Sequence, residues 1–180
     1  METNEIALLD FLGPRDYKKA REKIEHAQQK KDAVPIQLHI NSVGGVMCNE
    51  FFWLLEAIQQ SNVTIIAIAK EQLHSVAAIL FCVCQERFIF PGTKVLIHPP
   101  LINDLRVTSL SKDGKLPKEA FEQAVSALKR CREVIETRTH ITSEDVALVF
   151  EAGNDMVFLA EDAIRAGIAD SFYPGTAVKK

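Results

Sequence analysis

Residues Asn62–Cys84 read NVTIIAIAKEQLHSVAAILFCVC. Residues 62–69 are strongly β-branched and carry no alternation, which is the pattern of a strand buried on both faces. Residues 75–84, SVAAILFCVC, have no polar face, so as a helix they must be enclosed on every side. A buried strand feeding a buried helix points to an α/β protein with a largely parallel sheet.

Working outward, the same alternation continues in both directions. Upstream, EIALLDFLG (5–13) reads as a strand stopped at Gly13-Pro14, and residues 16–32 as a charged amphipathic helix with Ala20, Ile24 and Ala27 on one face. PIQLHI (35–40) is a second strand, followed by the Gly44-Gly45 pair and a helix over 47–60. Downstream, RFIF and KVLIH are short strands split by a Pro91-Gly92 turn. Residues 101–118 are polar and turn-rich, with a loop or small hairpin expected at Asp113-Gly114. Residues 117–140 form a helix roughly 30 Å long. Its apolar residues Phe121, Val125, Leu128, Cys131 and Ile135 make a narrow stripe, suited either to an arm packing on another subunit or to a helix lying across its own domain. A helix capped at Ser143, a short segment MVFL, the helix AEDAIRAG and a last strand IADSF complete the chain.

A length of 180 residues suits one domain over 1–180, and 47% hydrophobic with 25% charged residues is ordinary globular composition. A net charge of −3 carries no nucleic-acid footprint. No apolar run approaches the roughly 20 residues that span a bilayer. The N-terminus has neither a basic leader nor a cleavage pattern, which reads as a cytoplasmic protein. Cys48, Cys82, Cys84 and Cys131 lack C-x-x-C spacing, so buried free thiols are expected, with no metal and no cofactor.

One group of residues carries chemistry. Ser75 stands at the first turn of the apolar helix, beside backbone donors that have no partner within the helix. Those donors are half of an oxyanion hole, and Gly44 and Gly45 at a neighbouring strand end can supply the other half. His98 ends KVLIH before Pro99, which holds it extended at the same sheet edge. Nucleophile, base and anion hole then converge as acyl transfer requires. The plainer alternatives are a serine N-cap, a structural histidine and a glycine turn.

INSVGG (40–45), HSVAAILF (74–81), RFIFPGTKVLIHPPL (87–101) and AEDAIRAGIADS (160–171) together resemble the Clp-type serine proteases, ClpP-like members of the crotonase-like superfamily. The resemblance runs from about Leu8 to Tyr173. It implies stacked ββα units with a projecting handle region at about 101–140, assembled as homo-oligomeric rings of seven stacked in pairs. It also implies Ser75 as nucleophile, His98 as base, and the N–H groups of Gly44 or Gly45 with Val76 as oxyanion donors. The acid is expected shortly before the last helix, where Glu151 matches first and Asp155 four residues later. The segment AKEQLHS is bulkier and longer than the family's, and reads as an unusual loop over 69–74.

The expected function is a serine peptidase acting on peptides or unfolded proteins inside a ring. Two alternatives stand beside it, a catalytically degenerate scaffold or regulatory subunit and a crotonase-type acyl-CoA enzyme. The resemblance implies an AAA+ unfoldase partner, and the chain's start almost at the first strand puts that partnership in doubt.

Overall fold

A computed structural model describes residues 4–30, 34–99, 101–102, 105–106 and 118–174. Strand β1 (Glu5–Leu12) sends Ile6, Leu8 and Leu12 into the core. It stops where Gly13 and Pro14 open helix α1 (Pro14–Gln28), whose first turn is closed by Asp16 accepting from the Gly13 N–H at 2.9 Å. Tyr17, Ala20, Ile24 and Ala27 form the buried face of α1. Strand β2 (Ile36–Gly45), helix α2 (Asn49–Gln59), strand β3 (Ile65–His74) and helix α3 (Val76–Cys82) repeat the unit. Strands β4 (Glu86–Ile89) and β5 (Lys94–Ile97) follow, then the two-residue strands β6 (Leu101–Ile102) and β7 (Leu105–Arg106). Helix α4 (Lys118–Arg138), helix α5 (Ser143–Phe150), strand β8 (Met156–Leu159), helix α6 (Ala160–Arg165) and strand β9 (Ser171–Phe172) end the described chain.

The main sheet has seven strands, ordered β1-β2-β3-β4-β9, with β5 paired to β3 and β8 paired to β5. All pairings in it are parallel except β5 with β8. This is the α/β architecture expected from the strand-helix alternation.

Two strands run further than the sequence pattern suggests. Residues 69–74 are not a loop: β3 continues through an irregularity, since Ala69 faces Ile40 but Leu73 faces Ser42. Glu71 adopts φ 62° there, as a bulge demands. Asn41 answers the disturbed backbone, its Oδ1 accepting from the Gln72 N–H at 3.1 Å and its Nδ2 donating to Glu71 at 3.3 Å. The bulge bends β3 from one neighbour to another. Residues 66–69 pair with β4, and 72–74 pair with β5. The Gly44-Gly45 pair likewise lies within β2 instead of forming a turn after it.

Helix α3 is buried along its whole length, as its lack of a polar face requires. Its end is answered by Arg138 of α4, whose guanidinium donates to the carbonyls of Cys82, Val83 and Cys84. The apolar stripe of α4 is covered at its C-terminal end by burial of Cys131, Val134 and Ile135, while Val125 is 45% exposed. The hairpin expected at Asp113-Gly114 lies outside the described residues. The cap of α5 is Thr142, one residue earlier than expected, accepting from the Asp145 N–H at 3.1 Å.

Candidate active site

Ser75 occupies the junction of β3 and α3 at φ 57° and ψ −127°, a conformation that L-residues other than glycine rarely adopt. It stands at the N-cap position of α3, yet its hydroxyl makes no capping hydrogen bond. The plain capping explanation therefore does not account for a serine here. Its backbone is pinned on both sides. The Ser75 N–H donates to the Leu96 carbonyl of β5 at 2.7 Å, and its carbonyl accepts from the Ala78 N–H at 3.0 Å.

Gly44 of β2 (φ 114°) faces this junction so closely that a Cβ there would lie 2.9 Å from the Ser75 Cβ. Its neighbour Gly45 is equally enclosed, since a Cβ would fall 2.3 Å from the Leu12 carbonyl oxygen and 2.5 Å from the Tyr17 hydroxyl. The segment is tied down by buried Ser42, whose Oγ donates to the Asp10 carbonyl at 2.6 Å and accepts from the Gly44 N–H at 3.0 Å. The Leu12 carbonyl accepts from the Val46 N–H at 2.9 Å and from Tyr17 Oη at 3.2 Å. Burial raises the Tyr17 phenol well above its ordinary range, so it stays a neutral donor. Of the three expected oxyanion donors, Gly44 thus spends its N–H on Ser42. Val76 opens α3, in the first turn whose N–H groups lack an intrahelical acceptor.

His98 leaves β5 half-buried, two residues beyond the carbonyl that holds Ser75. Its Nδ1 lies 2.8 Å from the Pro99 carbonyl oxygen. A carbonyl only accepts, so this contact puts the proton on Nδ1 and leaves the Nε2 lone pair free. His74 precedes Ser75 and faces Leu96 across the β3–β5 ladder. Burial, reinforced by His98 and Lys94, holds the His74 imidazole below its ordinary pKa.

The two candidate acids sit differently. Glu151 ends α5, is 63% exposed and is paired with Arg132 of α4. Asp155 immediately precedes β8, where Met156 faces Ile97 in the antiparallel ladder. The ladder ends at that pair, and Asp155 and His98 are the next residues beyond it, outside both strands. Spacing along the chain puts Glu151 first, and it carries no information on cross-strand register. It passed over His74 altogether, and only the register of β3 on β5 draws notice to it.

A model of the Clp protease family matches residues 2–174. No curated protein matches the chain. Among the described residues no group of three or more potential metal ligands occurs, and no helix is long and apolar enough to cross a membrane.

Proposed function

The chain belongs to the Clp protease family, and from that membership we propose that it is a serine peptidase using Ser75 and His98. The observation that carries this reading is the strained, uncapped Ser75, backed by Gly44 and hydrogen-bonded to the strand that leads into His98. A serine that gains no cap and costs backbone strain has a reason to be there if its hydroxyl reacts.

In this reading the Ser75 hydroxyl attacks the scissile carbonyl and His98 Nε2 takes its proton. The Pro99 carbonyl keeps the imidazole in the required tautomer. The oxyanion is held by the N–H groups of Gly45 and Val76, Gly44 being occupied with Ser42. The role of acid goes to Asp155 in preference to Glu151, because the β5–β8 register supports the one and the Arg132 pair engages the other. His98 then passes the proton to the leaving amine, and water repeats the cycle on the acyl-enzyme.

Exposed Val125 on the apolar stripe of α4 supports assembly with other copies of the chain, in rings stacked through this helix. A degenerate, scaffold-only subunit is the second reading. The contact between His98 Nδ1 and a backbone carbonyl favours it, since that N–H is then given to a neutral acceptor instead of a carboxylate.

A fluorophosphonate probe tests the choice. Labelling of Ser75 in the wild type, lost in Ser75→Ala together with hydrolysis of unfolded casein, is the expected result. Intact assemblies without labelling or hydrolysis would select the scaffold.

A further inference from the structure

The ladders of β3, β5 and β8 generate a second feature beside the candidate active site. Side chains alternate across a sheet, so Lys94, Leu96 and His98 share one face while Val95 and Ile97 are buried on the other. Gln72 and His74 of β3 face Lys94 and Leu96, and Leu159 and Val157 of β8 face the same two residues. The result is three rows. The first holds His98, the second His74, Leu96 and Val157, and the third Gln72, Lys94 and Leu159. Val157 is 65% exposed and Leu159 53%, a large apolar exposure for two residues of one four-residue strand. Lys94 makes no ion pair among the described residues. Its charge does reach the second row, being one of the influences that depress His74.

We propose that this face selects substrate, taking an extended peptide with a bulky apolar side chain two positions from the cleaved bond and a carboxylate four positions from it on the same side. The inference rests on the peptidase reading above. At about 3.3 Å per residue, Leu96 lies roughly 7 Å and Lys94 roughly 13 Å from His98. An extended substrate lying along β5 advances at the same rate, so its alternate side chains meet the successive rows. The middle row offers apolar surface from Leu96 and Val157. The outer row offers a cation with no ion-pair partner among the described residues, which is complementary to Asp or Glu and repels Lys or Arg.

Two measurements on the full chain test this. Cleavage sites in unfolded casein are mapped for the wild type and for Lys94→Glu. In parallel, binding to Ser75→Ala protein, with and without Lys94→Glu, is followed by anisotropy of labelled peptides containing Leu-Ala-Glu or Glu-Ala-Leu and their lysine counterparts. The expected result is an acidic preference four positions from the bond. The acidic-to-basic ratio should fall about fivefold or more in Lys94→Glu, the change appearing in KM and in binding. An unchanged ratio in both assays overturns the proposal. So does a change in sedimentation caused by Lys94→Glu, which would mean that another copy of the chain covers the face. If the wild type cleaves nothing while binding still follows the charge at position 94, the peptidase reading fails and the selecting face stands.

Discussion

Gly44 and Ser75 are built against each other, with room for only one side chain between β2 and the start of α3: a Cβ on Gly44 would approach the Ser75 Cβ to 2.9 Å. Gly44→Ala should therefore displace Ser75 and lower turnover by at least tenfold. Gly92→Ala is the control, since Gly92 also has positive φ (82°) but nothing within 4 Å of its Cβ position. Both variants bear backbone strain of about 1–3 kcal/mol, and only Gly44→Ala should lose activity beyond its loss of stability. Equal activity losses at matched stability would mean that the contact with Ser75 has no catalytic consequence.

Ser75→Ala should abolish hydrolysis with little loss of stability, because the hydroxyl makes no capping bond that could be lost. Ser75→Gly should be equally inactive yet more stable than Ser75→Ala by about 1 kcal/mol, since glycine accepts φ 57° without strain. Urea denaturation of the two variants measures this difference. Residual turnover above background in either variant would remove Ser75 from the mechanism.

Asp155→Asn should lower kcat by orders of magnitude, by removing the negative charge that supports the His98 imidazolium. Glu151→Gln should change activity little and stability by about 1 kcal/mol at most, as expected for an exposed pair with Arg132. The reverse ranking would return the role to Glu151. Full activity in both would leave a dyad whose histidine is oriented by the Pro99 carbonyl alone.

Burial pushes the thiols of Cys82 and Cys131 up to about 12 and raises that of Cys84 as well. In native protein at pH 8, only half-buried Cys48 should react with a maleimide, and all four cysteines after unfolding. The sign of the pH effect follows from proton counts. Above the ordinary thiol value of 9.0, the unfolded chain releases protons that the folded chain retains. Stability should therefore fall as pH rises from 9 toward 12, by up to about 1.4 kcal/mol per unit per buried thiol. Urea midpoints at pH 8 and pH 10.5 check it; an unchanged midpoint would mean that these thiols are not enclosed.

Val125 is 45% exposed on α4, so Val125→Asp should leave the protomer folded. In an assembly joined through this helix, the substitution buries an unpaired carboxylate at a cost of several kcal/mol. Sedimentation should then show a smaller species than the wild type. Identical sedimentation would exclude the helix from assembly.

Local pattern determined much of this protein by itself. The β-branched run before Lys70 and the helix without a polar face forced a buried strand and a buried helix, because no other arrangement removes that much apolar surface from water. Ser75, the glycine pair and His98 could be singled out for the same reason, each being tied to the end or beginning of a recognisable element. What only the tertiary structure decided lies across strands. The bulge at Glu71 carried β3 onto β5, putting His74 and Lys94 on the face of Leu96. The antiparallel register of β8 on β5, which brings Met156 opposite Ile97 and so bears on the choice between Glu151 and Asp155, was set in the same way. The buried Ser42 hydroxyl accepts from the Gly44 N–H. Register and bulges depend on contacts between residues tens of positions apart, so intervals along the chain do not encode them.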